Sequence, residues 1–178
     1  MPNIDIVKLF ITNNIMDIKV KKHRLIYKGY KIRCSIGKSG ITKSKKEGDL
    51  ATPKGKFGLG KLYFRKDRIK IIKCNLKKKA IRRNMGWCDD SRSKRYNKEI
   101  IFPNKWNAEK LYRKDAIYDL LINIKYNVQP TIKKKGSAIF LHLANKKFKP
   151  TMGCIAISKN NFLKILPLIN KSTKIIIN

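Results

Sequence analysis

Residues 136–158, GSAIFLHLANKKFKPTMGCIAIS, contain two apolar runs separated by a polar loop. The first run ends at His142; the second, Ile155 to Ile157, follows directly on Thr151-Met152-Gly153-Cys154. Alternation along the first run puts positions 138, 140 and 142 on one strand face, so His142 shares a side with Ala138 and Phe140. One hairpin-like excursion therefore returns a thiol towards an imidazole. Cysteine attacks as thiolate, and a neighbouring imidazole is the usual means of making one near neutral pH. Gly153, just before the thiol, permits close approach of a substrate carbonyl, and main-chain N–H groups there can serve as an oxyanion hole. Free cysteine is also among the most buried residue types, and a histidine in an apolar strand is often a satisfied core residue. Chemistry alone leaves that core reading standing beside the catalytic one.

Outward from this stretch the chain reads as short strands. Ile4-Asp5-Ile6, Ile18-Lys19-Val20, Leu25-Ile26-Tyr27 and Lys31-Ile32-Arg33-Cys34 alternate apolar and polar side chains, with turns at Asn13-Asn14 and Lys28-Gly29. Further strands are expected at Lys56 to Tyr63, Ile69 to Cys74, Ile117 to Tyr126 and Thr173 to Ile177, with a Pro-fixed turn at Thr52-Pro53 and a solvated basic run at Lys77 to Lys79. Two helices are expected. Asn107 is placed to cap one through Lys114 with Leu111 inward. Ser158 caps a second, whose Phe162, Leu163, Ile165 and Leu166 face the core and which ends at Pro167. The segment from Asn84 to Asn97 lacks periodicity but carries Trp87, Asp89, Asp90 and Tyr96, a composition frequent in functional loops. The reading is a mainly β domain with two short helices.

The turn Thr151-Met152-Gly153-Cys154 between a strand ending in His142 and a second apolar strand resembles the catalytic motif of the L,D-transpeptidase (YkuD-type) family. Thr52-Pro53-Lys54-Gly55-Lys56-Phe57, preceded by Glu47-Gly48-Asp49, resembles that family's TPxGxF segment. Met85 to Asp90, Tyr96-Asn97 and GSAIFLHL are similar to a subgroup of it. The similarity covers residues 23 to 178, with 1–22 as an N-terminal strand or extension packed on the domain. It implies a mixed-strand β-sandwich with the site in a cleft, Cys154 as nucleophile, His142 as base and Gly153 beside the oxyanion. It also implies substrate contacts from Thr151 and from the segment bearing Trp87, Asp89 and Tyr96. Many members have histidine and arginine where Met152 and Ala156 stand here, so another cation must meet a substrate carboxylate; Arg92 and Arg95 are the residues expected to do so. The implied substrates are peptidoglycan stem peptides, the implied location is the periplasm or cell envelope, and no cofactor is implied.

One domain suits 178 residues. A net charge of +33 ordinarily suggests a polyanionic partner. The lysines run from Lys8 to Lys174 without forming one arm, and the chain is also rich in Ile and Asn, which likewise have A/T-rich codons, so nucleic acid is not the expected partner. A basic nucleic-acid-binding module and an inactive wall-binding domain are the competing readings. Cys34, Cys74, Cys88 and Cys154 include no CxxC pair, and zinc spacing is absent. Of these thiols, Cys154 is expected to be the most reactive. No run is long enough to span a bilayer, and Asp5 within the first apolar stretch, with no basic region before it, does not read as a secretory signal.

Overall fold

The computed structural model describes residues 17–178; the expectations for Ile4-Asp5-Ile6 and the Asn13-Asn14 turn lie outside them. Period-2 patterning begins at β1 (Ile18–Lys21), where Ile18 and Val20 are buried and the lysines between them exposed. β2 (Arg24–Tyr27) and β3 (Tyr30–Ser35) follow as a hairpin joined at Lys28-Gly29. The short pair β4 (Ile41–Thr42) and β5 (Thr52–Pro53) leads into the longest strand, β6 (Gly55–Phe64). Then come β7 (Lys78–Ala80), β8 (Met85–Cys88), β9 (Glu99–Ile101), β10 (Ala108–Lys110), β11 (Leu120–Ile124), β12 (Phe140–Leu143) and β13 (Ile155–Ile157). Helix α1 (Lys159–Ile165), a 3-10 turn at Leu166–Leu168 and β14 (Lys174–Ile177) close the chain.

The main sheet has the order β11-β12-β13-β3-β2-β1-β14-β6-β7, and β11 also pairs with β6, which joins the two layers of a sandwich at both sides. The pairs β1–β14, β12–β13 and β6–β7 are parallel and the rest antiparallel, so the sheet is mixed, as expected. A smaller sheet, β10-β8-β9, packs outside. Inside the ring lies the larger core, including Ile18, Leu25, Leu62, Ile122, Leu141, Ile155 and Ile177, with Phe162 and Ile165 of α1 packed into it. A second cluster, containing Tyr63, Met85, Trp87, Tyr118, Phe140 and Cys154, brings side chains of the main sheet together with those of the outer sheet. Each fully buried aliphatic or aromatic side chain is worth about 1.5–3 kcal/mol, so the two clusters fix both the ring and the docking of the outer sheet.

Three local expectations are corrected. Asn107 caps no helix: its side-chain amide donates to Asp89 (2.8 Å), and Ala108 to Lys110 pair with Cys88 to Gly86 as strand β10. Tertiary pairing overrides a weak helix preference there, and α1 is the one α-helix among the described residues. Ile69 to Cys74 is irregular, because the edge of β6 it would need is taken by Lys78–Ala80; it buries Ile69 and leaves Ile71 exposed. The basic run supplies that edge strand, where lysines discourage further pairing. In α1, capped by the Ser158 hydroxyl, Leu163 points outward, 37% exposed.

Candidate active site

The parallel pairing of β12 and β13 sets Leu141 against Ile155 and His142 against Ala156. Cys154, one residue before β13, therefore lies level with Phe140, whose N–H donates to its Sγ at 3.4 Å. Phe140, His142, Cys154 and Ala156 share the outer face, while Leu141, Leu143, Ile155 and Ile157 enter the larger core. His142 and Cys154 are thus diagonal neighbours on one face of two adjacent parallel strands.

Backbone and hydroxyl contacts build the cysteine turn. Gly153 has φ 136°, in the region that favours glycine, and a Cβ there would sit 3.0 Å from the Ala51 carbonyl oxygen. The Thr151 hydroxyl donates to the Cys154 carbonyl (2.6 Å) and accepts from the Gly153 N–H (3.2 Å). Thr52, fully buried, accepts from the Gly37 N–H (2.8 Å) and approaches the same Cys154 carbonyl at 3.5 Å. The TPxGxF-like segment is therefore a brace for the Cys154 turn. It was legible as a conformational element, but its contact across 102 residues was not.

The thiol itself donates to the Ala138 carbonyl at 3.2 Å. Ala138 is held at φ 52°, a conformation that costs an ordinary residue roughly 1–2 kcal/mol, and its N–H is fixed by the Asn97 side chain at 3.0 Å. Among the described residues no hydrogen bond joins Sγ to His142. The imidazole is oriented instead by main chain, Nδ1 lying 2.9 Å from the Leu143 carbonyl. With Nδ1 as donor to that oxygen, Nε2 is the unprotonated nitrogen available as a base. Burial pushes the His142 pKa down to about 4, with Arg113 adding to the fall and the Leu143 and Ile117 carbonyls opposing it. Burial pushes the Cys154 thiol up to about 12, Glu109 adding to the rise and the Phe140 N–H and Lys45 opposing it. At rest the two groups are a neutral pair.

Both face a cleft of about 440 Å³, walled by Glu47, Asp89, Glu109, Arg113, Tyr118, Ser137, Lys149, Met152 and Ala156 among others. Tyr118 stands edge-on to His142 (ring centroids 5.2 Å) and to Phe140 (5.9 Å), and its hydroxyl donates to Glu109 at 2.6 Å. Burial raises the Glu109 and Asp89 carboxyls above their ordinary values. Lys45, 4% exposed, is ion-paired to Asp49 at 2.5 Å and packs over Gly136.

A family model described as the L,D-transpeptidase catalytic domain matches residues 10–177. The chain belongs to that family. Among solved structures, it is similar to the helical cell shape determining protein Pgp2 from Campylobacter jejuni, at 17% identity and a TM-score of 0.43 over 88% of this chain and 43% of that one. A single-substitution variant of Pgp2 matches at 18% identity and 0.42, over 88% and 42%. The chain thus spans less than half the length of these structures. No curated protein matches it.

Within this L,D-transpeptidase-type domain the expected site residues divide. Cys154, His142, Thr151 and Asp89 line the cleft, and Gly153 forms the turn beneath it. Trp87 does not line it: the ring is buried, edge-on to Phe140 (5.2 Å) and Tyr63 (6.2 Å), and its Nε1 donates to Asn97 at 2.9 Å. Tyr96 is buried behind the wall, donating its hydroxyl to Glu47, which does line the cleft and also accepts from Ser137 at 2.7 Å. Arg92 is clamped on Asp90 through two bonds (2.9 and 2.7 Å), and Arg95 reaches the Glu99 carbonyl at 2.9 Å; neither is brought to the cleft. The cations present there are Arg113 and Lys149. Arg113 falls in the stretch expected to be helical, which hid its direction. Glu109 and Tyr118 carried no motif signal at all. All four cysteines are free. No helix among the described residues is long and apolar enough to cross a membrane.

Proposed function

We propose that the domain is a cysteine acyltransferase acting on peptidoglycan stem peptides outside the cytoplasmic membrane. The observation that supports this most directly is the diagonal placement of Cys154 and His142 on one face of two parallel strands, opening on one cleft, with Nδ1 committed to a backbone carbonyl. In this reading the donor is a tetrapeptide stem. As its carbonyl carbon enters, Nε2 of His142 takes the thiol proton and Sγ attacks the bond preceding the terminal D-Ala. The charge that develops on the carbonyl oxygen is met by main-chain N–H groups of the Gly153-Cys154 turn; the Gly153 N–H, held only at 3.2 Å by Thr151, is free to change partner. His142 returns its proton to the departing D-Ala amine, leaving a thioester on Cys154. An acceptor amine then attacks the thioester in cross-linking, or water in trimming, with His142 again as base.

The resting neutral pair fits a mechanism in which charge separates only while the substrate is bound. Arg113 and Lys149 are the cations at the cleft that can meet the donor's terminal carboxylate, Arg113 while sharing its guanidinium with Asp115 (3.0 and 2.8 Å), in the role that an arginine at position 156 cannot fill here, since Ala156 beside His142 has no charge to offer. Incubation with purified tetrapeptide muropeptides, followed by mass spectrometry, is the test. Cross-linked dimers or tripeptide products, lost in both Cys154→Ala and His142→Ala with non-additive effects in the double variant, are expected. Turnover persisting in either alanine variant refutes the mechanism. Retention on peptidoglycan with no product under any condition refutes the acyltransferase reading in favour of a wall-binding domain.

A further inference from the structure

A second cavity, comparable in size to the cleft at Cys154, lies elsewhere in the molecule. On the other side of the outer sheet, about 560 Å³ opens between β6, the end of β11, and the loops before β7 and β14. That volume is within the range of small-molecule sites, about 300–1,000 Å³. Its floor is made by a β-bulge: Leu62 pairs with Ile122 and Leu59 with Ile124, so Gly60 and Lys61 together oppose the single residue Asn123. Bulges of this kind redirect side chains and recur beside functional sites.

Asn123 is the anomaly. It is the one polar residue in the buried strand LLINI and is only 9% exposed, yet its side chain lines the cavity. Its Nδ2 has a single long contact, 3.4 Å to the Ile124 carbonyl, and its Oδ1 has no partner among the described residues. No buried side-chain polar atom among the described residues lacks a hydrogen bond, so Oδ1 is open to the cavity and available to a ligand there. Glycine at position 60 keeps the space before it open, since a Cβ there would lie 2.7 Å from Oδ1. By contrast, Asn97 in the same wall is fully engaged, accepting from Trp87 and Ala138 and donating to the Tyr126 and Asn127 carbonyls.

Around this amide the lining is apolar below and cationic above. Leu59, Leu76 and Trp87 form the base, while Lys61, Lys77, Lys98, Lys125 and Lys171, all exposed, form the rim. None of these five lysines has a carboxylate partner among the described residues. The single carboxylate in the lining, Glu99, is already held by Lys79 and by the Tyr63 hydroxyl. Lysines alone would mark little in so basic a chain. Here their stems wall a formed cavity onto which the Asn123 amide opens, able both to donate and to accept.

We propose that this cavity is a second binding site, for a sugar unit bearing a carboxylate or phosphate. A ring hydroxyl can donate to Oδ1 and accept from Nδ2 of Asn123, the C–H face of the ring can rest on Leu59, Leu76 and the Trp87 edge, and the anion meets the lysine rim. The site is separate from Cys154 and stands whether or not acyl transfer occurs.

Emission from Trp87 in a Trp106→Phe background reads occupancy directly. Four probes are titrated: N-acetylglucosamine 1-phosphate, N-acetylmuramic acid, neutral N-acetylglucosamine and inorganic phosphate. The expected result is saturable binding of one or both anionic sugars at least tenfold tighter than the neutral sugar or phosphate, and the tighter of the two identifies the phosphorylated or the carboxylated source. Asn123→Leu should weaken that binding tenfold or more. Lys98→Gln with Lys125→Gln, on exposed positions that do not threaten folding, should weaken it at least fivefold and flatten its salt dependence. Cys154→Ala should leave it unchanged. Equal affinity for phosphate and sugar phosphate, equal affinity for neutral and anionic sugars, absence of saturable binding, or indifference to the two-lysine variant would each overturn the proposal.

Discussion

Raising the pH around the ligand-free protein tests the neutral state of the Cys154–His142 pair. Burial holds the Cys154 thiol near 12 against an ordinary value of 9.0, and holds His142 near 4, so neither group charges between pH 6 and 8. Three pH units of displacement lower the thiolate fraction about a thousandfold relative to the same cysteine in the unfolded chain. The more basic thiolate is intrinsically more nucleophilic, which recovers roughly 15- to 30-fold with a Brønsted slope of about 0.4–0.5. The net expectation is alkylation about 30- to 60-fold slower than in the unfolded chain, before any shielding by the 7% exposure of the residue. Because the folded value is raised, the rate should climb tenfold per pH unit from 7 to 10 with no plateau. The assay is iodoacetamide labelling quenched at intervals and read by peptide mapping, with the half-buried Cys74 as internal comparison. A rate that is flat between pH 6 and 8, or that exceeds the unfolded reference, would show a stored thiolate–imidazolium pair and refute the reasoning.

Other outcomes follow from the same geometry. Arg113→Ala should lower donor turnover by roughly ten- to a hundredfold, the cost of a charge-assisted contact, while Arg92→Ala and Arg95→Ala stay near wild type in muropeptide assays. Gly153→Ala should fold but lose at least a hundredfold in turnover, and its melting temperature should fall by a few degrees, since strained φ costs about 1–3 kcal/mol and the Ala51 carbonyl must give way. His142 titrates lower in the folded state than in the unfolded chain, so the unfolded chain binds the extra proton between pH 6.5 and about 4 and stability must fall as pH drops through that window. The loss should be about 3 kcal/mol in denaturant titrations, and a His142→Leu variant should lack it.

The strand pattern was legible because alternation survives in the buried ladders. Ile18 and Val20, Leu25 and Tyr27, and Phe140 and His142 all fall on the faces that period 2 assigns. What the sequence could not show were relations set by distant partners. Ala108 to Lys110 became a strand because Cys88 to Gly86 offered an edge, and Ile69 to Cys74 did not because Lys78–Ala80 had taken the one available. The same limit applies to the site. The motif located Cys154 and His142, and the alternation put His142 on the right face, but Tyr118, Glu109 and Arg113 enter the cleft from a segment with no distinguishing pattern. Arg92 illustrates the converse: position in a functional-looking loop said nothing of Asp90, two residues away, which claims its guanidinium.

Cys154 is held by backbone more than by His142, and this explains why the informative segments are scattered along the chain. Two threonine hydroxyls, from positions 52 and 151, converge on the Cys154 carbonyl, while the thiol rests on the carbonyl of Ala138. Ala138 in turn is fixed in its left-handed conformation by Asn97, itself at φ 54°, a conformation that asparagine tolerates better than most residues. The same Asn97 oxygen accepts from Trp87, so the back wall of the lysine-rimmed cavity and the segment before β12 that carries the thiol's acceptor share one side chain. Trp87 and Asn97 therefore bear on the thiol without lining the cleft: they set the height at which Ala138 presents its carbonyl, and with it where Sγ sits.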